Sequence, residues 1–307
     1  MSGNRPAIAI FDGSCLADQF AIRKPRLTSA RSPLPMPSSC FPRFAVAALL
    51  LGASGLPAMA IQLSPHRATY TVSLDASKSG TRINGAEGRI VYEMRGSACA
   101  GYSVQLRQDT DLATDGGRVN SAVSTATWED GEGKSYRFRV TNRLNGETSE
   151  EADGVAERKE GELSVTATKP EARTVVLGKN VLLPTQHVLR LIGSAESGES
   201  VLEAPVFDGS PDAKKVYDTL AVIGRETRDA KGLEEAATSG DLAGRPRFPV
   251  TISYYERGGT SETPDYVISF DMFDNGVSRK LKLDYGEFAL NGTLISYEAL
   301  PKEDCAK

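Results

Sequence analysis

VLLPTQHVLRLIGSAESGESVLEAPVFDGSPDAKKVYDTLAVIG, residues 181–224, is the stretch on which the fold turns. It holds one amphipathic helix in a chain that elsewhere reads as strand and turn, so the strands must be arranged to receive it. Thr185 stands as N-cap after Pro184, whose ring disfavours helix at the residue before it. Val188, Leu191, Ile192 and Ala195 then recur at helical spacing as one apolar stripe, widened by Leu189. Gly198 is the expected stop, which gives about three and a half turns. Beyond it, VLEAPVFDG and KKVYDTLAVIG read as two strands joined through Asp208-Gly209-Ser210-Pro211, residues that favour a turn.

The strands announce themselves by alternation. Tyr70, Val72 and Leu74 share a face, as do Ile90, Tyr92 and Met94, then Tyr102, Val104 and Leu106, then Tyr136, Phe138 and Val140. The later half repeats the pattern with Tyr266, Ile268, Phe270 and Met272, then Leu281, Leu283 and Tyr285, then Phe288 and Leu290, then Ile295 and Tyr297. Asn84-Gly85, Asp115-Gly116, Asp130-Gly131, Asn145-Gly146, Asp153-Gly154, Asn275-Gly276 and Asn291-Gly292 supply hairpin turns, because these pairs tolerate positive φ. Roughly fourteen strands with one apolar face cannot stay flat, since that face and two unpaired edges would meet water. The fold class expected is all-β: a long antiparallel meander curled into a β-spiral or broken barrel, with one amphipathic helix packed against it. At this strand number the interior is too wide for strand side chains alone, and Val188, Leu191 and Ile192 can enter it. No internal repeat of fixed period points to a propeller or solenoid.

Even composition along 307 residues, 40% of them hydrophobic, shows no internal boundary and predicts one domain over residues 61–307. Met36 to Ala60 reads as an export signal, with Arg43 ahead of an apolar run from Phe44 to Leu51 and Ala58-Met59-Ala60 as the cleavage site. That run is too short to span a membrane, which takes about 20 residues. Cys40 precedes the run, so no lipid anchor is expected, and residues 1–35 read as an upstream extension or an early start. The first 60 residues hold six Lys/Arg and two Asp/Glu, so the remainder carries 30 basic and 38 acidic residues, a formal charge of −8. This argues against nucleic-acid or anionic-membrane partners. Removal of the signal leaves Cys99 and Cys305 as the two cysteines in an oxidising compartment, expected to bond to each other rather than persist as free buried thiols. Closing a loop of about 200 residues is worth up to roughly 5 kcal/mol in the chain-entropy model.

Candidates for catalysis are thin. WEDGEGKS, residues 128–135, ends like a phosphate-binding loop, but Trp128 stands where the first glycine is needed, so it reads as a hairpin tip. His66 reads as a strand-start residue and His187 as a polar helix residue, and neither has metal-ligand spacing around it. DMFDN at residues 271–275 lacks the regular oxygen ladder of a calcium loop and reads as a turn. Asp208, Asp212 and Asp218 are interrupted by Lys214 and Lys215, which favours a solvated loop. No Gly-x-Ser-x-Gly elbow is present. The chain is therefore expected to be no enzyme and to need neither cofactor nor metal.

LSPHRATYTVSL, GRIVYEMRGSACAGYSV, WEDGEGKSYRF, LLPTQHVLRLI and VFDGSPDAKKVYDTLAVIG together resemble the EipB family of bacterial cell-envelope integrity proteins, formerly a domain of unknown function. The resemblance spans nearly all of residues 61–307. It implies a periplasmic protein with a β-spiral or broken barrel, a disulfide on Cys99 and Cys305, and service to the envelope under stress. It supplies no catalytic residue, and it implies a periplasmic tetratricopeptide-repeat protein as partner. Two modes of action follow. The first is protein contact by a fold filled with its own side chains. The second is a carrier of lipid or another apolar ligand, with an interior lined by Tyr102, Val104, Phe138, Phe270 and Leu283 and gated by Val188, Leu191 and Ile192 on the helix.

Overall fold

In the computed structural model, which describes residues 61–78, 82–209 and 212–303, the chain forms one antiparallel sheet and one α-helix. The strands are β1 (His66–Leu74), β2 (Ile83–Ser97), β3 (Gly101–Thr114), β4 (Gly117–Glu129), β5 (Ser135–Leu144), β6 (Glu147–Lys159), β7 (Glu162–Lys169) and β8 (Arg173–Lys179), then, after helix α1 (Pro184–Ser197), β9 (Val201–Val206), β10 (Tyr217–Ile223), β11 (Arg247–Glu256), β12 (Tyr266–Phe273), β13 (Ser278–Asp284) and β14 (Ala289–Ala299). Neighbours in sequence pair except β8 and β9, and β1 also pairs with β14, so the order runs β8 to β1 and then β14 to β9. The meander would be a closed ring but for one break. β8 and β9 are the two edges, and the segment joining them is α1. The predicted export signal and early start fall on residues 1–60, outside those described, as does Cys305.

The sheet curls tightly enough to wrap the helix. Met94 of β2 and Tyr102 of β3 share one core cluster with Leu191, Ile192 and Ala195 of α1 and with Ile252 and Met272 of β11 and β12. β2 and β12 stand four places apart in the sheet order, about 19 Å along a flat sheet, so only curvature brings them onto one helix. A second cluster draws the two ends of the sheet together. Phe207, Ala213 and Val216, from the connection after β9, pack on Tyr136 and Phe138 of β5 and on Leu163 and Val165 of β7. The Tyr136 hydroxyl donates to the Asp208 carbonyl at 3.0 Å, and the Arg173 guanidinium on the β8 edge donates to the Asp212 carbonyl. At the β9 edge Leu182 makes a parallel bridge to Val206, with bonds of 2.7 and 3.0 Å through the amides of Leu182 and Phe207.

Local sequence rules explain most of these elements, and three departures have clear causes. The helix begins two residues earlier than the expected Thr185 cap: Leu183 is the N-cap and Pro184 sits at the first helical position, where its missing N–H costs nothing. Gly198 ends the helix in the left-handed region at φ 82°, as its type suggests. Asp115-Gly116, Asp130-Gly131, Asn145-Gly146 and Asn275-Gly276 lie at turns or bends, whereas Asn84-Gly85, Asp153-Gly154 and Asn291-Gly292 lie inside β2, β6 and β14. In the last two the glycine serves close packing: a Cβ on Gly154 would stand 2.8 Å from the Phe138 ring, and one on Gly292 would stand 3.0 Å from the Leu281 side chain. Finally, a bulge where Tyr70 meets Leu294 and Thr69 meets Ser296 leaves Ile295 exposed, so the expected Ile295/Tyr297 face is broken, and Leu294 is buried instead.

Candidate functional site

The helix N-terminus is capped from outside its own segment. Glu129, the last residue of β4 and 2% exposed, accepts the Thr185 amide at 2.7 Å on Oε2 and the Gln186 amide at 3.0 Å on Oε1. One carboxylate thus satisfies two of the three N–H groups that this helix start, with Pro184 at its first position, leaves open. The Gln186 side chain turns back to accept the Leu183 amide at 3.2 Å, and Arg158 of β6 donates to the Val181 carbonyl at 2.7 Å. The hairpin after Glu129 fits against this anchor. Gly133, at φ 68°, lies so close that a Cβ would stand 1.9 Å from Gln186 Nε2, and a Cβ on Gly131 would stand 1.7 Å from the Ala98 carbonyl oxygen. Asp130 Oδ1 braces the tip by accepting the Glu132 and Lys134 amides at 3.0 and 2.9 Å. WEDGEGKS is therefore a hairpin tip that seats the helix.

Two buried titratable groups sit at this anchor. Burial pushes the Glu129 carboxyl up to about 7, against the downward pull of the Thr185 and Gln186 amides, with Asp130 adding to the rise. Burial lowers His187 to about 4; it is 4% exposed, and its Nε2 has no hydrogen-bond partner among the described residues. His66 starts β1 as expected and is 1% exposed, its Nδ1 2.7 Å from the Ser64 carbonyl oxygen and its pKa lowered chiefly by burial.

The residues expected to line an interior fall in three places. Tyr102, Val104 and Phe270 join Val188, Leu191 and Ile192 in the cluster around the helix. Phe138 belongs to the other cluster, its ring 5.4 Å from Phe207, and so lies away from the helix stripe. Leu283 stands opposite Leu290 and Ile268 in the sheet, and neither cluster holds it. The face toward the helix mixes buried residues, among them Met94, Tyr102, Ile252 and Met272, with half-buried ones. Val104, Val188 and Phe270 are half-buried, and so are Tyr92, Tyr254 and Tyr266, whose phenols burial nevertheless pushes up, Tyr92 to about 12.

The acidic candidates are spent on structure. Asp212 accepts the Lys214 and Lys215 amides, and Asp218 pairs with Arg257 at 2.6 Å. Asp271 pairs with Arg279, Asp274 pairs with Arg245 at 2.6 Å, and the Asn275 side chain accepts the Val277 amide at 3.2 Å. Among the described residues no three His, Cys, Asp or Glu side chains gather as metal ligands. Cys99 lies in the β2–β3 turn with its sulfur 3.2 Å from Ser97 Oγ. Among the described residues no helix is long and apolar enough to cross a membrane.

Residues 57–301 match the model of the EipB-like family. The cell envelope integrity protein EipB of Brucella abortus (strain 2308) is 36% identical over 244 residues, which is 78% of this chain and 86% of that protein. A crystal structure of a beta-barrel-like protein of a domain of unknown function from Brucella abortus superposes with a TM-score of 0.72 at 34% identity, covering 79% of this chain and all of that one.

Proposed function

This chain belongs to the EipB-like family, and from that premise we propose that it is an exported, non-enzymatic factor for cell-envelope integrity that acts by holding an apolar ligand inside the curled sheet. The observation that supports the reading is the inner face on which Tyr92, Val104, Val188 and Phe270 keep accessible surface around a single helix. A protein built only to present an outer surface has no need of such a face, because close packing is worth more to stability than an open interior. In this reading α1 is the wall that the ligand lies against, since it packs inside the curl against β2, β3, β11 and β12. Periplasmic location follows from the signal at residues 36–60.

Protein contact with a periplasmic tetratricopeptide-repeat partner has its own support in Val201 and Val222, which are 53% and 52% exposed and directly paired across β9 and β10 at an open edge. Native mass spectrometry with organic extraction, on residues 61–307 recovered from a bacterial periplasm, separates the two. Near-stoichiometric bound lipid is the expected result. A clean apo mass with no uptake of added lipid overturns the carrier reading and leaves contact as the mode of action.

A further inference from the structure

Between the two core clusters the inner face of the sheet turns from apolar to polar. Leu106, Thr125 and Val140 form one rung across β3, β4 and β5, and Gln108, Val123 and Asn142 form the next, which continues onto Glu150 of β6. Val104 shares this face and packs toward the helix cluster, while Val140 belongs to the cluster of Phe207. The face therefore points inward. Leu106, Thr125, Gln108, Val123 and Glu150 are all half-buried on it, and neither cluster holds Leu106 or Val123.

The polar rung is rich in acceptors. Asn142 is 8% exposed, and its Nδ2 donates to Glu150 Oε2 at 2.9 Å, which fixes the orientation of the amide and leaves Oδ1 as an acceptor. That Oδ1 is buried and has no hydrogen-bond partner among the described residues. Gln108 repeats the arrangement more openly, since its Nε2 donates to Thr110 Oγ1 at 3.3 Å and so presents Oε1 as an acceptor. A buried acceptor without a donor is costly, and a ligand that brings an O–H removes the cost.

We propose that the rung of Gln108, Asn142 and Glu150 takes a hydroxyl-rich, uncharged headgroup, so that the ligand is an amphiphile whose apolar tail runs from there past Leu106 and Val104 toward Val188 of the helix. The assignment rests on the carrier reading and adds the chemical class of the head. From Gln108 to Glu150 the rung crosses three strand spacings, about 14 Å, which suits a head with several hydroxyls. An anionic head would meet the Glu150 carboxylate and two amide oxygens with nothing to donate. A quaternary ammonium has no N–H or O–H for Asn142 Oδ1, and its charge would lose water beside a carboxylate already given to Asn142.

Titration calorimetry on residues 61–307 tests it with three probes sharing a decyl tail, each below its micelle concentration: decyl maltoside, decyl sulfate and decyltrimethylammonium. Decyl maltoside is expected to bind at least tenfold more tightly than either of the others. Asn142→Leu and Gln108→Leu should each weaken decyl maltoside at least fivefold and leave the two charged probes within about twofold of wild type. Gln108 is half-buried, so Gln108→Leu decides the matter if Asn142→Leu does not fold. Equal affinity for the three heads, tighter binding of a charged head, or a maltoside affinity unchanged by these substitutions overturns the headgroup assignment and leaves the carrier reading standing. Uptake of none of the three by the wild-type protein overturns both.

Discussion

At Glu129 a buried carboxyl and a helix start depend on each other. Its pKa is raised from 4.5 to about 7, so the folded chain holds this proton more tightly than the unfolded one, and stability falls as pH rises from about 4.5 to 7. His187 behaves oppositely. Its pKa is lowered from 6.5 to about 4, so its full contribution is present above 6.5 and is lost as pH falls toward 4. Each effect is on the order of 3 kcal/mol at its limit, and between pH 4.5 and 6.5 they oppose each other, with His66 adding to the histidine side. Over pH 5 to 6.5, urea melts should show Glu129→Gln gaining stability with rising pH more steeply than wild type, and His187→Leu gaining less than wild type. Parallel profiles for all three proteins would contradict the pairing. The sequence carried no local sign of Glu129's role, because the amides it accepts lie 56 and 57 residues away. His187 was legible as a helix residue, but its burial follows from curvature that no periodicity reveals.

Helix α1 and its flanks show which elements a sequence can specify. Its stripe and its stop at Gly198 were legible because both are set within a turn or two of the chain. Its start was not, since Thr185 has the composition of a cap while Leu183 stands at the cap position and a distant carboxylate accepts the open amides. Asp153-Gly154 misled for the reverse reason: the pair suits a tight turn, yet Gly154 is required where Phe138 closes on the backbone. The C-terminal segment is the element most open to test. Ala299 pairs with His66 and His66 with Met94, so β14 ends two strands away from the β2–β3 turn that holds Cys99, and the Leu300 amide bonds to the Pro65 carbonyl at 2.9 Å. Residues beyond Leu300 can reach Cys99 across those two strand spacings, about 10 Å. The bond proposed between Cys99 and Cys305 would fasten the closing strand pair of the sheet. Cys99→Ser is expected to cost about 2–5 kcal/mol and to lower yield from the periplasm. Unchanged melting and yield would show that no such bond supports the fold.

For the whole molecule, a meander of about fourteen strands followed from alternation and turn dipeptides, and its curling from the need to cover one apolar face, but which strands meet did not follow. Pairing of β1 with β14 joins residues more than 200 apart, and the position of the break was visible only as the helix between two strand runs. Of the residues read as cavity lining, Tyr102, Val104 and Phe270 reached the helix, and Phe138 did not, because the connection after β9 folds across β5 and takes its ring. A core stripe and a cavity wall have the same period, so sequence alone could not separate them.

Val104 offers the most direct test of whether that inner face borders open space. It is half-buried on β3 and packs toward the helix cluster. In a closely packed core, Val104→Trp would cost about 1–3 kcal/mol through overpacking. In an open interior the indole fills the space with little loss of stability and displaces whatever occupies it. The measurement is uptake of a fluorescent alkyl probe by wild type and Val104→Trp, with the melting temperature of each. One probe per wild-type chain, and at least tenfold weaker uptake by a variant that melts within a few degrees of it, is the result expected. A variant that is strongly destabilised, or one that binds the probe as wild type does, would show that the sheet closes on a solid core.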